Sequence, residues 1–405
     1  MDRQTVDALL TGMLESADGV SDLLFIAGKP PLVEVHGRLS EFPIDAPDSV
    51  LAPALIEQLA GQVMNGNERL RLEFSNTGSC DCSYAIENLA RFRVNIFKQN
   101  GCHAIVMRRL QAEIPSLEKL ALPPIFREIV KEKNGIILVT GATGTGKTTT
   151  LAAMVNELNR HEEIHIVTLE DPIEFFHPHH KAAMSQRELG KDFYSFSDGL
   201  RAALRQAPKV ILVGEIRDRE TLEIAMTAGE TGHLVLSTLH TINAGQTISR
   251  ILGMFDREDE QQLRQRLSET LRYVISQRLV NRIAGGGRLL ITEIMGSSLR
   301  TRETIVYGES ENKSFHEIIE AGSTLGWHSF DQELLRAFEA GIVSDETAML
   351  HCTNKGKMRR DLDLLQKVRG AGVPEVSGLK LHLPDTFEAL PTEGTRRFSV
   401  TPRAK

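Results

Sequence analysis

The run Gly141-Ala142-Thr143-Gly144-Thr145-Gly146-Lys147-Thr148 spells G-x-x-x-x-G-K-T. It follows the apolar segment 136–139 directly, and beyond it Leu151, Met154, Val155 and Leu158 fall at helical spacing. Strand, glycine loop and helix in that order form a phosphate-binding loop. Glycines let the backbone turn its N–H groups inward around a phosphate, and the helix N-terminus adds its positive end. The expected nucleotide-binding residues are Gly141, Thr143, Gly144, Thr145, Gly146, Lys147, Thr148 and Thr149. Lys147 is expected to reach the β- and γ-phosphates, and the Thr148 hydroxyl to coordinate Mg²⁺.

Hydrolysis also requires carboxylates, and two further apolar segments end in them. Segment 164–169 runs into Glu170-Asp171-Pro172-Ile173-Glu174, and 210–213 into Gly214-Glu215. Both acids should emerge at the carboxyl ends of strands, the edge where the glycine loop lies. Glu215 reads as a Walker-B-type acid that orients or deprotonates the attacking water; Glu170 shares that role or contacts Mg²⁺ through water. His233 and His240 bracket the apolar segment 234–239 and are candidates to sense the γ-phosphate. His177, His179 and His180 lack a C-x-x-C partner or an H-E-x-x-H frame, so no metal site is expected there. Cys80-Asp81-Cys82 is likewise too short and solitary for structural zinc.

These residues need a frame, and hydropathy outlines it. Residues 1–112 read as a small α+β domain: a helix over 6–14, strands near 23–27, 32–35, 83–86, 91–97 and 104–110, and one long helix over 50–71. Asn100-Gly101 predicts a hairpin, because both residues tolerate positive φ. Pro115, Pro123 and Pro124 mark a break, with 113–120 as linker. Short apolar runs at helix-length intervals then predict an α/β domain over 121–369 with a buried, mostly parallel sheet. Its later part is expected to be helical over 259–280 and 330–339. Residues 370–405 hold four of the fifteen prolines and little periodicity, as a disordered tail would. The 405 residues suit two or three domains, at 41% hydrophobic and 25% charged. A net charge of −7 gives no general attraction to nucleic acid. Four cysteines argue against a disulfide scaffold and for a reducing compartment. No apolar run approaches the ~18 residues of a transmembrane helix, and Met1–Leu10 has no signal-peptide pattern.

Together the segments resemble the secretion-type ATPases, specifically the type IV pilus retraction motors of the PilT/PilU family. The similarity is carried by GATGTGKTT at 141–149, TLEDPIEF at 168–175, SQRELG at 185–190, ILVGEIRD at 211–218 and TAGETGHLVLSTLHT at 227–241. SDLLFIAGKPP at 21–31 and RFRVNIFKQ at 91–99 resemble the family's N-terminal PAS-like domain. The resemblance implies a RecA-like ATPase domain behind that PAS-like domain, with ATP and Mg²⁺ as ligands. It also implies a homo-hexameric ring, with nucleotide held between the two domains and a neighbouring subunit. Arg93 and Arg108 match arginines that reach toward the nucleotide phosphates. The implied partners are an inner-membrane pilus platform protein and a paralogous retraction ATPase, at the cytoplasmic face of the inner membrane. Where the family usually carries Ala-Ile-Arg-Asn-Leu-Ile, this chain has Leu299-Arg300-Thr301-Arg302-Glu303-Thr304-Ile305. The alternatives are a pilus assembly or type II secretion ATPase, or an ATP-binding accessory ring subunit without independent motor activity. Assembly-type enzymes typically add paired C-x-x-C motifs, which this chain lacks. A nucleic-acid translocase on the same core would need a positive groove with stacking side chains.

Overall fold

The computed structural model describes residues 1–44, 50–87, 89–110, 113–285, 287–310 and 313–368; the expected tail over 370–405 lies outside them. The N-terminal region begins with α1 (Arg3–Glu15), where the Asp2 carboxylate accepts from Thr5 N at 2.8 Å and Val6, Leu10 and Met13 are buried on one face. Strands β1 (Val20–Ile26), β2 (Leu32–Val35) and β3 (Arg38–Glu41) follow, then α2 (Pro53–Met64) and α3 (Glu68–Thr77). The expected single helix over 50–71 is therefore two. Asn65 and Gly66 take φ of 47° and 71°, which no helix continues through, and Asn67 caps the second helix by accepting from Arg69 N and Leu70 N. Strand β3 was not foreseen: all four of its residues are exposed, so it has no apolar period to read. Strands β4 (Ser79–Ile86), β5 (Ala90–Gln99) and β6 (Cys102–Arg109) complete an antiparallel sheet in the order β3-β2-β1-β6-β5-β4. Asn100 and Gly101 both have positive φ at the β5–β6 turn.

The second sheet is built from β7 (Gly135–Gly141), β8 (His165–Glu170), β9 (Ala183–Glu188), β10 (Val210–Val213), β11 (Leu234–Leu239), β12 (Leu271–Asn281) and β13 (Arg288–Gly296). The order is β13-β12-β7-β11-β10-β8-β9, parallel throughout except for the β12–β13 hairpin. Helices α4 (Phe126–Ile129), α5 (Lys147–His161), α6 (Phe196–Ala203), α7 (Arg219–Glu230), α8 (Ala244–Leu252) and α9 (Glu260–Thr270) accompany it. Alternate strand residues serve opposite faces. Ile136, Leu138, Val167 and Ile211 join the core with α6 to α9, whereas Ile137, Val139, Ile166 and Leu212 join the core with α5.

One expectation fails here for a physical reason, and one strand carries no sequence signal. The span 259–280 is helical only through Thr270, and Leu271–Asn281 is the strand β12, paired to β7. Leu263, Leu267 and Leu271 keep helical spacing into the strand, but Val274 and Ile275 are wholly buried on opposite faces. Tertiary packing overrides the local period. Strand β9, a polar Ala-Met-Ser-Gln-Arg-Glu at the sheet edge, has no apolar run at all. Beyond β13 lie α10 (Leu299–Tyr307), α11 (Phe315–Ala321), α12 (Phe330–Glu339), α13 (Asp345–His351) and α14 (Lys355–Val368). Phe330, Leu334 and Val343 pack on Val280 and Ile291, and the Arg278 guanidinium lies 3.8 Å from the Phe330 ring centroid. No helix among the described residues is long and apolar enough to cross a membrane.

Gly135 opens β7 at φ +100°, and a Cβ there would lie 2.5 Å from the Thr270 carbonyl oxygen. Gly135→Ala is expected to destabilise the protein by roughly 2 kcal/mol or more, seen as a lower urea midpoint at unchanged slope. An unchanged midpoint would contradict the close approach of β12 to β7.

Candidate active site

Strand β7 is buried along its whole length and paired to β11 on one side and β12 on the other. The chain leaves it at Gly141, with φ +143°, where a Cβ would sit 2.6 Å from Thr145 Oγ1 and 2.7 Å from Gln277 O. Gly144 and Gly146 also take positive φ, and α5 starts at Lys147. The first-turn N–H groups of a helix have no intrahelical acceptor, so this loop presents donors by construction. Thr145 Oγ1 closes the loop on Ala142 O at 2.8 Å. The buried Lys147 ammonium donates to Gly141 O at 2.9 Å and Ala142 O at 3.1 Å. Burial holds its pKa below the usual lysine range, with the Glu215 charge acting in the opposite sense.

The two strand-end carboxylates occupy different environments. Glu170 ends β8 and is 7% exposed. It accepts from Thr168 Oγ1 at 2.6 Å and Gln186 Nε2 at 3.3 Å. Desolvation pushes its pKa up to about 7, against the lowering effect of those hydrogen bonds. Glu215 follows β10 on a clamped turn: Gly214 N donates to Leu169 O at 2.8 Å, Thr238 Oγ1 to Gly214 O at 2.7 Å, and Ile216 N to Thr238 O at 3.2 Å. Its carboxylate accepts from Arg217 Nε at 2.8 Å and lies 3.4 Å from His240 Nε2. One acid is dry and proton-retaining; the other is paired with Arg217 and lies beside His240. The two carboxyl groups thus stand in different surroundings at one sheet edge.

A cavity of about 730 Å³ joins these groups. Thr143 to Thr149, Glu170, Glu215 and His240 line it, and so do Arg93 and Arg108 from the other sheet. The two arginines are register partners on β5 and β6, and Arg108 Nε donates to Asp22 Oδ1 at 2.9 Å. Both line the cavity that the phosphate loop of their own chain also lines. Gly141 contributes through its carbonyl, which holds Lys147.

His233 is a correction. It lies at the amino end of β11, where its carbonyl accepts from Gly135 N and its ring Nδ1 is 3.1 Å from Ala228 O. A six-residue strand puts it roughly 20 Å from the edge that carries the loop. The pair of histidines is thus divided, because a parallel strand sends its two ends to opposite edges of the sheet.

Several residues at the site had no assigned role in the sequence. Thr168 is two residues before Glu170 and so on the same strand face, a spacing that could have revealed it. Gln186 was visible only as part of SQRELG, since nothing local marks β9 as a strand. Leu279, from β12, supplies apolar lining that the expected helix over 259–280 had hidden, and Leu289 of β13 adds to it.

A glycine loop at the carboxyl edge of a parallel sheet, with a buried lysine and two strand-end acids, defines a RecA-like P-loop nucleotide hydrolase. Residues 81–288 match the model of the type II/IV secretion system proteins, and the chain belongs to that family as one of its ATPases. It is 40% identical over 330 residues to the type IV pilus retraction ATPase PilT of Pseudomonas aeruginosa, covering 82% of this chain and 93% of that protein. Against the type IV pilus ATPase PilU of the same organism it is 36% identical over 353 residues, covering 87% and 90%. The crystal structure of the pilus retraction motor PilT with bound ADP superposes with a TM-score of 0.77 at 37% identity, covering 89% of this chain and 99% of that one.

Because the folded pKa of Glu170 is raised, the folded state binds this proton more tightly than the unfolded chain does. That contribution is present in full below the ordinary value of 4.5 and is lost as pH rises through about 7. Glu170→Gln keeps an acceptor for Thr168 and Gln186 and never ionises. Without nucleotide, its stability relative to wild type is expected to rise between pH 5 and pH 8, by roughly 3 kcal/mol at most. A difference independent of pH would refute the buried, titrating carboxyl.

Proposed function

We propose that this protein is a hexameric motor that couples ATP hydrolysis to retraction of type IV pili, returning pilin subunits to the membrane and driving twitching motility. The observation that carries the chemical half is the single cavity shared by the phosphate loop, Glu170, Glu215 and the two arginines of the N-terminal sheet. Lys147 leaves the loop carbonyls for the β- and γ-phosphates. Glu215, on its clamped turn, orients and deprotonates the attacking water. Arg93 and Arg108 offset the charge that develops on the transferred phosphoryl group. His240, beside Glu215, is placed to register whether the γ-phosphate is present. The donors around the loop suit Mg²⁺, a hard ion that takes oxygen ligands: Thr148 would hold it directly and Glu170 through water. When bound, that ion neutralises phosphate charge during transfer. The residues named at the site, the division at 113–120 and the ring are all part of this reading.

The motor half follows from the relatives: proteins named for pilus retraction match along nearly their full length. The same reading makes the partners an inner-membrane pilus platform protein and a paralogous retraction ATPase, with the ring at the cytoplasmic face. Deleting the gene is expected to leave excess pili that do not retract; loss of pili would instead assign an assembly motor.

Lys147→Ala is expected to weaken ADP binding at least ~10-fold, since it removes the cation that faces the phosphates. Glu215→Ala should bind ADP normally and turn over ATP ~100-fold or more slowly. A normal turnover rate in the Glu215 variant would sink its role. Because Arg93 lines its own chain's cavity, rings mixed from Arg93→Ala and Lys147→Ala subunits are expected to stay inactive. Recovered activity would show that Arg93 serves the neighbouring subunit.

A further inference from the structure

Glu188 ends the edge strand β9 as the register partner of Glu170 on β8. Leu189 N, the next donor along, holds the Glu170 carbonyl at 2.8 Å. The Glu188 carboxylate is 4% exposed as a residue and is divided between two neighbourhoods. Oε2 accepts from Ile173 N at 3.3 Å, in the middle of the acidic loop behind Glu170, and lies 3.6 Å from Arg91 Nη2 of the N-terminal sheet. Oε1 accepts from Ser83 Oγ of that same sheet at 2.8 Å and from Lys191 Nζ at 2.6 Å. A buried carboxylate needs such a full set of partners. Those partners come from the loop after Glu170, from the N-terminal sheet and, in Lys191, from the turn after β9.

The surroundings tighten the link. Two residues earlier on the same side of β9, Gln186 Nε2 holds Phe175 O at 2.8 Å and the Glu170 carboxylate at 3.3 Å. The loop is thereby fastened at Ile173 and Phe175 by one strand. On the opposing sheet, Arg91 lies two residues before Arg93, and Ser83 is the register partner of Arg93. The strand segment that delivers Arg93 to the cavity is the one seated on Glu188. Gly190, at φ +80°, leaves the space that the Arg69 guanidinium of α3 occupies, so the N-terminal part closes on the end of β9 from a second element.

We propose that Glu188 is a positioning residue that ties the seating of the N-terminal sheet to the loop at Ile173 and so to the placement of Glu170. The inference rests on the hydrolase reading of this site. When the N-terminal sheet is seated, Ser83 and Arg91 hold the carboxylate, which holds Ile173 N, and Arg93 stands at the cavity. When the sheet moves away, Glu188 loses Ser83 and Arg91 and keeps Lys191, so its carboxylate is free to turn and its hold on Ile173 N weakens. Hydrolysis is thus confined to the arrangement in which arginines and carboxylate are placed together.

The test uses the full-length chain and the half-buried pair Ser83→Ala/Arg91→Ala, which spares every residue lining the cavity. Three experiments are run: affinity for Mg-ADP by calorimetry, steady-state kinetics giving kcat and KM for ATP, and amide hydrogen exchange across residues 171–175. The pair is expected to lower kcat ~5- to 20-fold with ADP affinity within ~2-fold, and to raise exchange at Ile173, which neither substitution touches. Glu188→Ala should lower kcat further, Glu188→Gln should recover part of it, and adding the pair to Glu188→Ala should change nothing more. A lower melting temperature with unchanged kcat and unchanged exchange would reduce Glu188 to an adhesive between two sheets and overturn the proposal. Failure of the hydrolase reading looks different: wild type itself would not turn over ATP.

Discussion

A loop that cradles phosphate works only if its backbone cannot yield to the charge it holds, and here that stiffness comes from β7. The strand is hydrogen-bonded on both sides, to β11 and β12, and none of its residues is exposed. Its last residue has room for no side chain, since Thr145 and the Gln277 carbonyl close over Gly141. The donors of the loop are therefore organised before any nucleotide arrives, and no reorganisation is required as charge builds up. Lys147 is held in reserve on the loop's own carbonyls until a better acceptor appears.

The same sheet edge places the two acids in distinct surroundings. Glu170 is sealed among Thr168, Gln186 and the protein interior, which favours its neutral form. Glu215 stands between Arg217 and His240 on a turn fixed by β11. Charge reaches the cavity from outside the sheet as well, through Arg93 and Arg108. Their arrival depends on how the antiparallel sheet is seated, and the seat is a buried carboxylate on β9. Chemistry and domain arrangement are thus joined at one edge strand.

Legibility in the sequence followed local burial. Runs buried on both faces, such as Val210–Val213 and Leu234–Leu239, announce themselves as strands because every position is apolar or small. The exposed β3 and the polar β9 carry no such mark, and β12 carries a misleading one, since leucines at helical spacing lead into it. The break at Asn65-Gly66 was written in residues that accept positive φ, yet the four-residue spacing of Leu51, Leu55, Leu59 and Val63 masked it. At the site, Gly141 to Thr149, Glu170 and Glu215 were readable because each stands at a strand end. Gln186 and Glu188 were not, because their meaning is a neighbour across the sheet.

The order of residues alone determined the phosphate loop, the acids that follow two buried strands and the family to which the chain belongs. These depend on contiguous spacing, which a sequence displays directly. Tertiary structure alone decided which histidine lines the cavity beside Glu215, by sending the two ends of β11 to opposite edges. It also raised the pKa of Glu170 by closing the interior around it, and set Glu188 between Ile173 and Ser83. Desolvation and long-range pairing are properties of surroundings, and those surroundings exist only once the chain has folded.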